Sequence, residues 1–296
     1  MLSEKSTIVR LTRQVSEGLG PRLALRLLAA VAPARADRYA ADLFRRPSRS
    51  APTGEPFVPL FAGKRFEVET SAGTVAAWHY GEGPTVVVSH GWNGASTQLF
   101  RLIARLVHGG FQVVAFDQPA HGLSGGTHTD VPRMADALRS VAFRVRPVHA
   151  VVAHSLGGTA AALAIARGAA IPRAVLIAPP VELPFFARAF AGRLGLPPAR
   201  AEGILRRLAE VVGPPDSLDL LRLAPSQRAA LLVLHDRGDR EVPYAHSEAL
   251  VAKWPHARLE PLSNLGHRRM LREPRVLDAI VDFLREDKRG GLRKIA

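Results

Sequence analysis

The chain has 296 residues, enough for one large hydrophobic core and an inserted subdomain. Its 47% hydrophobic and 22% charged content is that of a globular protein, and the absence of cysteine excludes disulfides, thiolate zinc sites and a cysteine nucleophile. The net charge of +14 is carried mainly by arginine, with ten Lys/Arg against four Asp/Glu over residues 1–50 and a basic tail at 288–294. No basic stripe with interleaved aromatic residues accompanies it, so it reads as solvated surface charge and no nucleic-acid partner is expected.

Residues 7–44 read as one or two amphipathic helices. Ile8, Leu11 and Val15 share one face, as do Leu23, Leu27, Leu28 and Val31, with Gly18, Gly20 and Pro21 between the groups. Such an arm is expected to pack on the main domain, and it is also a candidate for membrane-surface or dimer contact. The longest apolar stretch, 23–34, is cut by Arg26 and is too short to span a bilayer. The run 27–32 imitates a signal peptide, but its leading region is long and carries Glu4 and Glu17. A cytoplasmic protein is therefore expected, with export or peripheral membrane association as alternatives. Residues 45–62, rich in proline, glycine and serine, form a linker, so that 1–60 is arm and linker.

Segments 64–70 and 74–80 alternate with the strand period around Ser71-Ala72-Gly73, a hairpin. Segment 85–90 is continuously apolar, as in a buried parallel strand. Helices then alternate with strands: helix 95–108, strand 112–117, helix 130–145, strand 148–153, a helix to about 168, and strand 173–178. After a gap come strand 230–235, a helix near 244–253, a strand near 257–262 and a helix from 274 to 286. This order predicts an α/β fold with a doubly wound, mostly parallel sheet covered on both faces, over 61–288. The gap, about 180–228, opens on Pro179-Pro180 and holds helical patterns at 183–194 and 199–212. It reads as a helical cap whose Phe185, Phe186 and Phe190 are candidates for an apolar substrate wall, against their plainer role in packing the cap. Residues 289–296 are a basic tail.

The chemistry centres on Val148-His149-Ala150-Val151-Val152-Ala153-His154-Ser155-Leu156-Gly157-Gly158. A β-branched run stops at a serine, and a helix rich in Ala and Leu starts at once. A turn this tight needs nearly bare residues two places either side, here Ala153 and Gly157. It exposes the Ser155 hydroxyl and leaves the Leu156 N–H at a helix N-terminus, where negative charge is favoured. A serine nucleophile needs a base, and the base an orienting acid. In such sheets they follow in the order Ser, acid, His. The loop Asp236-Arg237-Gly238-Asp239 closes a strand, where ligands bind in open α/β sheets. Asp239 is the preferred acid, while Asp236 is expected to cap loop amides and Glu182 is a third choice. His267, in the loop before the last helix, is the base. His154 is expected to point into the sheet and away from the mouth. His246 and His256 have no such context. The second oxyanion donor is expected from His90-Gly91-Trp92-Asn93-Gly94, at the Trp92 N–H, with its indole walling the pocket. Asp117 and His121 read as structural, holding their loop beside this one. No phosphate-cradling or metal-ligand spacing occurs, so no cofactor and no metal are expected.

Together, His90-Gly91-Trp92, Asp117…His121-Gly122-x-Ser124, the Ser155 turn, Gly238-Asp239 with Val242-Pro243, and Gly266-His267 resemble the α/β-hydrolase superfamily over about 60–288. Ala153 departs from the usual glycine. The resemblance implies a serine hydrolase of esterase or lipase type with a helical cap. Ser155 would be the nucleophile, His267 the base, Asp239 its orienter, and Trp92 and Leu156 the oxyanion donors. A small-molecule ester would be cleaved through an acyl-enzyme. Serine at the turn argues against dehalogenases and epoxide hydrolases, which place aspartate there. The alternatives are an amidase or peptidase, an acyltransferase or perhydrolase on the same residues, and a non-catalytic binding scaffold.

Overall fold

A computed structural model describes residues 21–49 and 63–286. The pattern at Ile8, Leu11 and Val15, most of the linker, and the basic tail lie outside the described residues.

Eight strands form one sheet, in the order β1-β2-β4-β3-β5-β6-β7-β8. They are β1 (Lys64–Thr70), β2 (Gly73–Tyr80), β3 (Thr85–Ser89), β4 (Gln112–Phe116), β5 (Val148–His154), β6 (Arg173–Ile177), β7 (Ala230–Asp236) and β8 (Ala257–Leu262). The first two make the expected antiparallel hairpin, and β2 runs antiparallel to β4. From β4 to β8 every pairing is parallel, with registers such as Val88↔Val152 and Val152↔Val175. Continuous Val, Leu and Ile suit strands buried on both faces, and every residue of β3 and β6 is buried.

Helices before the cap segment are α1 (Pro21–Val31), α2 (Pro33–Phe44), α3 (Phe100–His108), α4 (Val131–Arg144) and α5 (Leu156–Ala166). Those after are α6 (Leu183–Arg193), α7 (Arg200–Val212), α8 (Leu220–Leu223), α9 (Ala245–Val251), α10 (Gly266–Arg269) and α11 (Pro274–Arg285). One sheet face packs Val86, Val88, Val152, Val175, Ile177 and Leu234 against Leu102, Ile103 and Leu106 of α3 and Val276, Ile280 and Val281 of α11. Helix α5 has no polar face, because Gly157 to Ile165 are all buried.

The described chain divides into two compact units: 47–49, 63–181 and 218–286 hold the sheet, and 21–46 with 182–217 form a helical unit. In the helical unit Leu25, Ala36, Ala40, Ala41, Ala191, Leu196, Ala201 and Ile204 make a small core. Alanines and Gly203 let the helices approach closely. A Cβ on Gly203 would lie 1.9 Å from Asp37 Oδ2. The sequence places helices at 183–194 and 199–212, but not their union with the two N-terminal helices.

Three details differ from expectation. The segment 95–108 is a 3₁₀ turn, Ser96–Leu99, followed by α3. A one-turn helix, α10, arises where a loop was expected, and another, α8, lies in the cap segment beyond its two helical patterns. Of the face Leu23, Leu27, Leu28 and Val31, only Leu28 packs against the unit's core, beside the buried Leu25, while Leu23, Leu27 and Val31 are exposed.

Candidate active site

Strand β5 ends at His154, and Ser155 turns into α5 with φ 52° and ψ −128°. For a non-glycine residue this costs about 1–3 kcal/mol, so the surroundings must impose it. The Ser155 N–H donates to Ile177 O at 2.8 Å, and the Gly158 and Thr159 N–H groups donate to Ser155 O. The hydroxyl does not cap the helix. A Cβ on Gly157 would lie 2.2 Å from His90 O, and one on Gly91 would lie 2.9 Å from Ser155 Cβ. Bare residues therefore let the loop after β3 lie directly against the turn. Ala153 is buried, and its methyl is accommodated. The Leu156 N–H stands at the first position of α5, where no intrahelical acceptor exists.

The loops after β7 and β8 bring Asp239 and His267 together. His267 Nδ1 donates to Asp239 Oδ2 at 2.6 Å, and both side chains are almost fully buried. Asp239 Oδ1 accepts from the Glu241 N–H at 2.7 Å and the Val242 N–H at 3.0 Å. Burial pushes the Asp239 pKa up, but hydrogen bonds from His235, His267 and the Val242 N–H outweigh it and hold the carboxyl well below the usual range. An ionised Asp239 fixes the proton of His267 on Nδ1 and leaves Nε2 as a base.

His235 is a participant that sequence reasoning missed. Fully buried, its Nε2 donates to Val242 O at 3.1 Å and lies 3.3 Å from Asp239 Oδ2, while Nδ1 accepts from the Ser247 hydroxyl at 2.6 Å. The only signal was its place at the end of β7, one residue before the acid loop. His154 needs a correction. It is buried as expected, but it is not remote from the mouth. Its ring lies 4.7 Å from that of His267, and Nε2 donates to the His267 carbonyl at 2.9 Å. Burial and the charge of His267 push its pKa down to about 3, so it stays neutral. Alternation sets which face a strand residue takes. It does not say that the next loop folds over that face.

Ser155 adjoins His154, so the hydroxyl-bearing turn and His267 share one part of the sheet's C-terminal edge. Among the described residues no hydrogen bond joins Ser155 to His267. Asp236 caps amides, accepting from Gly238 N–H and Leu265 N–H at 2.7 Å each. His246 Nδ1 accepts from the Val181 N–H at 3.1 Å. Glu182 is exposed at the start of α6, in the helical unit.

The loop after β3 is held from below. His90 Nδ1 donates to Gly91 O at 2.7 Å, and its Nε2 accepts from Gln118 N–H at 2.9 Å. His121 Nδ1 donates to Pro119 O at 3.0 Å, and its Nε2 accepts from Asn93 N–H at 3.1 Å. Burial, with the nearby His90, pushes the His121 pKa down to about 3. Asp117 accepts from Ser96 N–H and Leu123 N–H at 2.7 and 2.8 Å, tying the next loop alongside. The Trp92 indole is half-buried and meets the His121 ring edge-on at 5.4 Å. In the helical unit the Phe185 and Phe186 rings pack edge-on at 5.2 Å, and Phe190 packs on Phe44 at 5.1 Å. Among the described residues no cluster of three His, Asp or Glu side chains is arranged to hold a metal, and no helix is long and apolar enough to cross a membrane.

A mostly parallel eight-stranded sheet of this kind is found in known structures. An esterase of Pyrococcus furiosus aligns over 81% of this chain and 97% of its own, with TM-score 0.64 and 21% identity. The chain has the α/β-hydrolase fold. An esterase of Exiguobacterium antarcticum shares this hydrolase fold over 75% of this chain and all of its own, at TM-score 0.59 and 17% identity. Est1E of Butyrivibrio proteoclasticus does so over 74% and 97%, at 0.58 and 18%. Residues 83–209 of this chain match the family described as serine aminopeptidase, S33. None of the curated proteins matches it.

Proposed function

We propose that this α/β-hydrolase cleaves carboxylic esters of small molecules through an acyl-enzyme on Ser155. The Ser155 Oγ attacks the ester carbonyl carbon as His267 Nε2 takes its proton. Asp239 orients the imidazole and stabilises its cation. The N–H groups of Leu156 and Trp92 receive the oxyanion at a helix N-terminus and a rigid loop. His267 then protonates the departing alcohol. Water, deprotonated by His267, attacks the acyl carbon and frees Ser155.

The 2.6 Å hydrogen bond between Asp239 and His267 carries this reading, because it prepares a base at the edge where Ser155 is held in its strained turn. The esterase neighbours support esters. The serine aminopeptidase description favours a second reading, amide cleavage by the same residues. A fluorophosphonate probe is expected to label wild-type protein at Ser155. Hydrolysis of p-nitrophenyl butyrate is expected to exceed that of alanine p-nitroanilide. Labelling elsewhere, or no hydrolysis of either compound, contradicts the proposal, and a preference for the anilide selects the second reading.

A further inference from the structure

Helix α1 turns an apolar band outward. Leu23, Leu27 and Val31 are 44%, 43% and 72% exposed. Their spacing of four residues keeps them on one side of the helix over about 12 Å. Leu25, on another side, is buried in the helical unit's core, with Leu28 and Ala29 packed partly against it. The outward band is therefore not what holds α1 in place. On α2, Tyr39 is 52% exposed and adds an aromatic ring with a polar tip.

Cations surround these residues. Arg22 and Arg26 on α1 and Arg35 and Arg38 on α2 are exposed, and none forms an ion pair among the described residues. The acids on the same helices are already engaged. Asp42 pairs with Arg46 at 2.7 Å, and Asp37 is buried 3.6 Å from Arg200. The exposed surface of the helix pair thus combines leucines, a tyrosine and four uncompensated guanidinium groups.

We propose that the α1–α2 pair is a docking surface for an anionic lipid bilayer. Leu23, Leu27 and Val31 would enter the boundary between headgroups and acyl chains, while the arginines meet phosphate-bearing headgroups and their stems lie along the apolar boundary. Other occupants satisfy only part of the surface. A second copy of the chain would bury the leucines but set two groups of four arginines against each other. A nucleic acid would take the arginines and leave the leucines in water. The proposal is independent of which bond Ser155 cleaves.

The test is flotation of the full-length protein with vesicles of phosphatidylcholine alone or mixed with phosphatidylglycerol. Wild type is expected to float with the anionic vesicles, to stay behind with the neutral ones, and to be released by added salt. Arg22→Gln with Arg26→Gln is expected to weaken partitioning about 30-fold. Leu23→Ser with Leu27→Ser is expected to abolish flotation. Hydrolysis of a soluble ester is expected to be unchanged in both variants, since these residues lie outside the catalytic machinery. The arginine variant changes only exposed side chains, so it keeps the test valid if the leucine variant fails to fold. Failure to float on anionic vesicles, equal binding to neutral vesicles, or unchanged partitioning of the arginine variant would overturn the proposal. So would a leucine variant that converts a dimer into a monomer in sedimentation while still floating.

Discussion

Gly157→Ala is the substitution that tests the geometry around Ser155 most sharply. Its new Cβ would stand 2.2 Å from His90 O, 2.9 Å from His90 C and 2.9 Å from Ser89 Oγ. Relief needs a shift of about 1 Å, since apolar carbon packs at about 3.5 Å or more. The obstacle is backbone, and that backbone is held by the His90 bonds to Gly91 O and Gln118 N. Either the loop after β3 moves away or α5 does. Overpacking of this kind costs about 1–3 kcal/mol. That corresponds to a fall in Tm of about 2–10 °C. The same movement displaces the Trp92 amide from the Leu156 amide, and a misplacement of about 1 Å lowers kcat/KM about 100-fold. Thermal melting and hydrolysis of p-nitrophenyl butyrate read the two effects. Gly192→Ala in α6 is the control, because a Cβ there meets nothing within 4 Å. It is expected to be neutral or to stabilise slightly. A Gly157→Ala protein with wild-type Tm and kcat/KM would refute the close contact between the serine turn and the loop after β3.

Two further outcomes follow from the acid loop and the buried histidines. Asp239→Asn is expected to lower kcat by about 10⁴-fold, because an amide NH₂ facing His267 favours the wrong tautomer. Asp236→Asn changes only a loop cap and is expected to act chiefly on Tm, so equal kinetic losses in the two variants would contradict the assignment. His121 and His154 have folded-state pKa values of about 3. In the unfolded chain they take up protons near the ordinary value of about 6.5, so the unfolded state binds more protons throughout this window. Stability is then highest above about pH 6.5 and falls as pH drops toward 3, by about 1.4 kcal/mol per pH unit for each residue. Urea unfolding near neutral pH and in mild acid measures this, and a flat profile would contradict neutral burial of the pair.

Much of the sheet was legible because its signals are local. The apolar runs of β3, β4, β5 and β7 end at turn formers, and helices follow at spacings that suit parallel strands joined by crossovers. The serine turn announced itself through Gly157, whose bareness the close approach of His90 explains. What escaped depends on contacts between distant segments. His154 lies below His267 although 113 residues separate them, and nothing near either residue encodes that meeting. His235 reaches Asp239 because the loop after β7 folds back on its own strand. The two N-terminal helices share a core with 182–217 through alanines, whose weak hydrophobic signal names no partner. Periodicity grouped Leu23, Leu27, Leu28 and Val31, but of these only Leu28 meets the core, and the pattern could not say which side of the group faced it. Leu25 takes the buried place because α1 leans on that side.

The central claim is that Ser155, His267 and Asp239 act as one nucleophilic unit. Its most direct test compares purified wild type with Ser155→Ala, both shown to be folded by melting, on p-nitrophenyl butyrate. The account predicts that the variant loses kcat by about 10⁴-fold or more. Equal rates for the two proteins would contradict it.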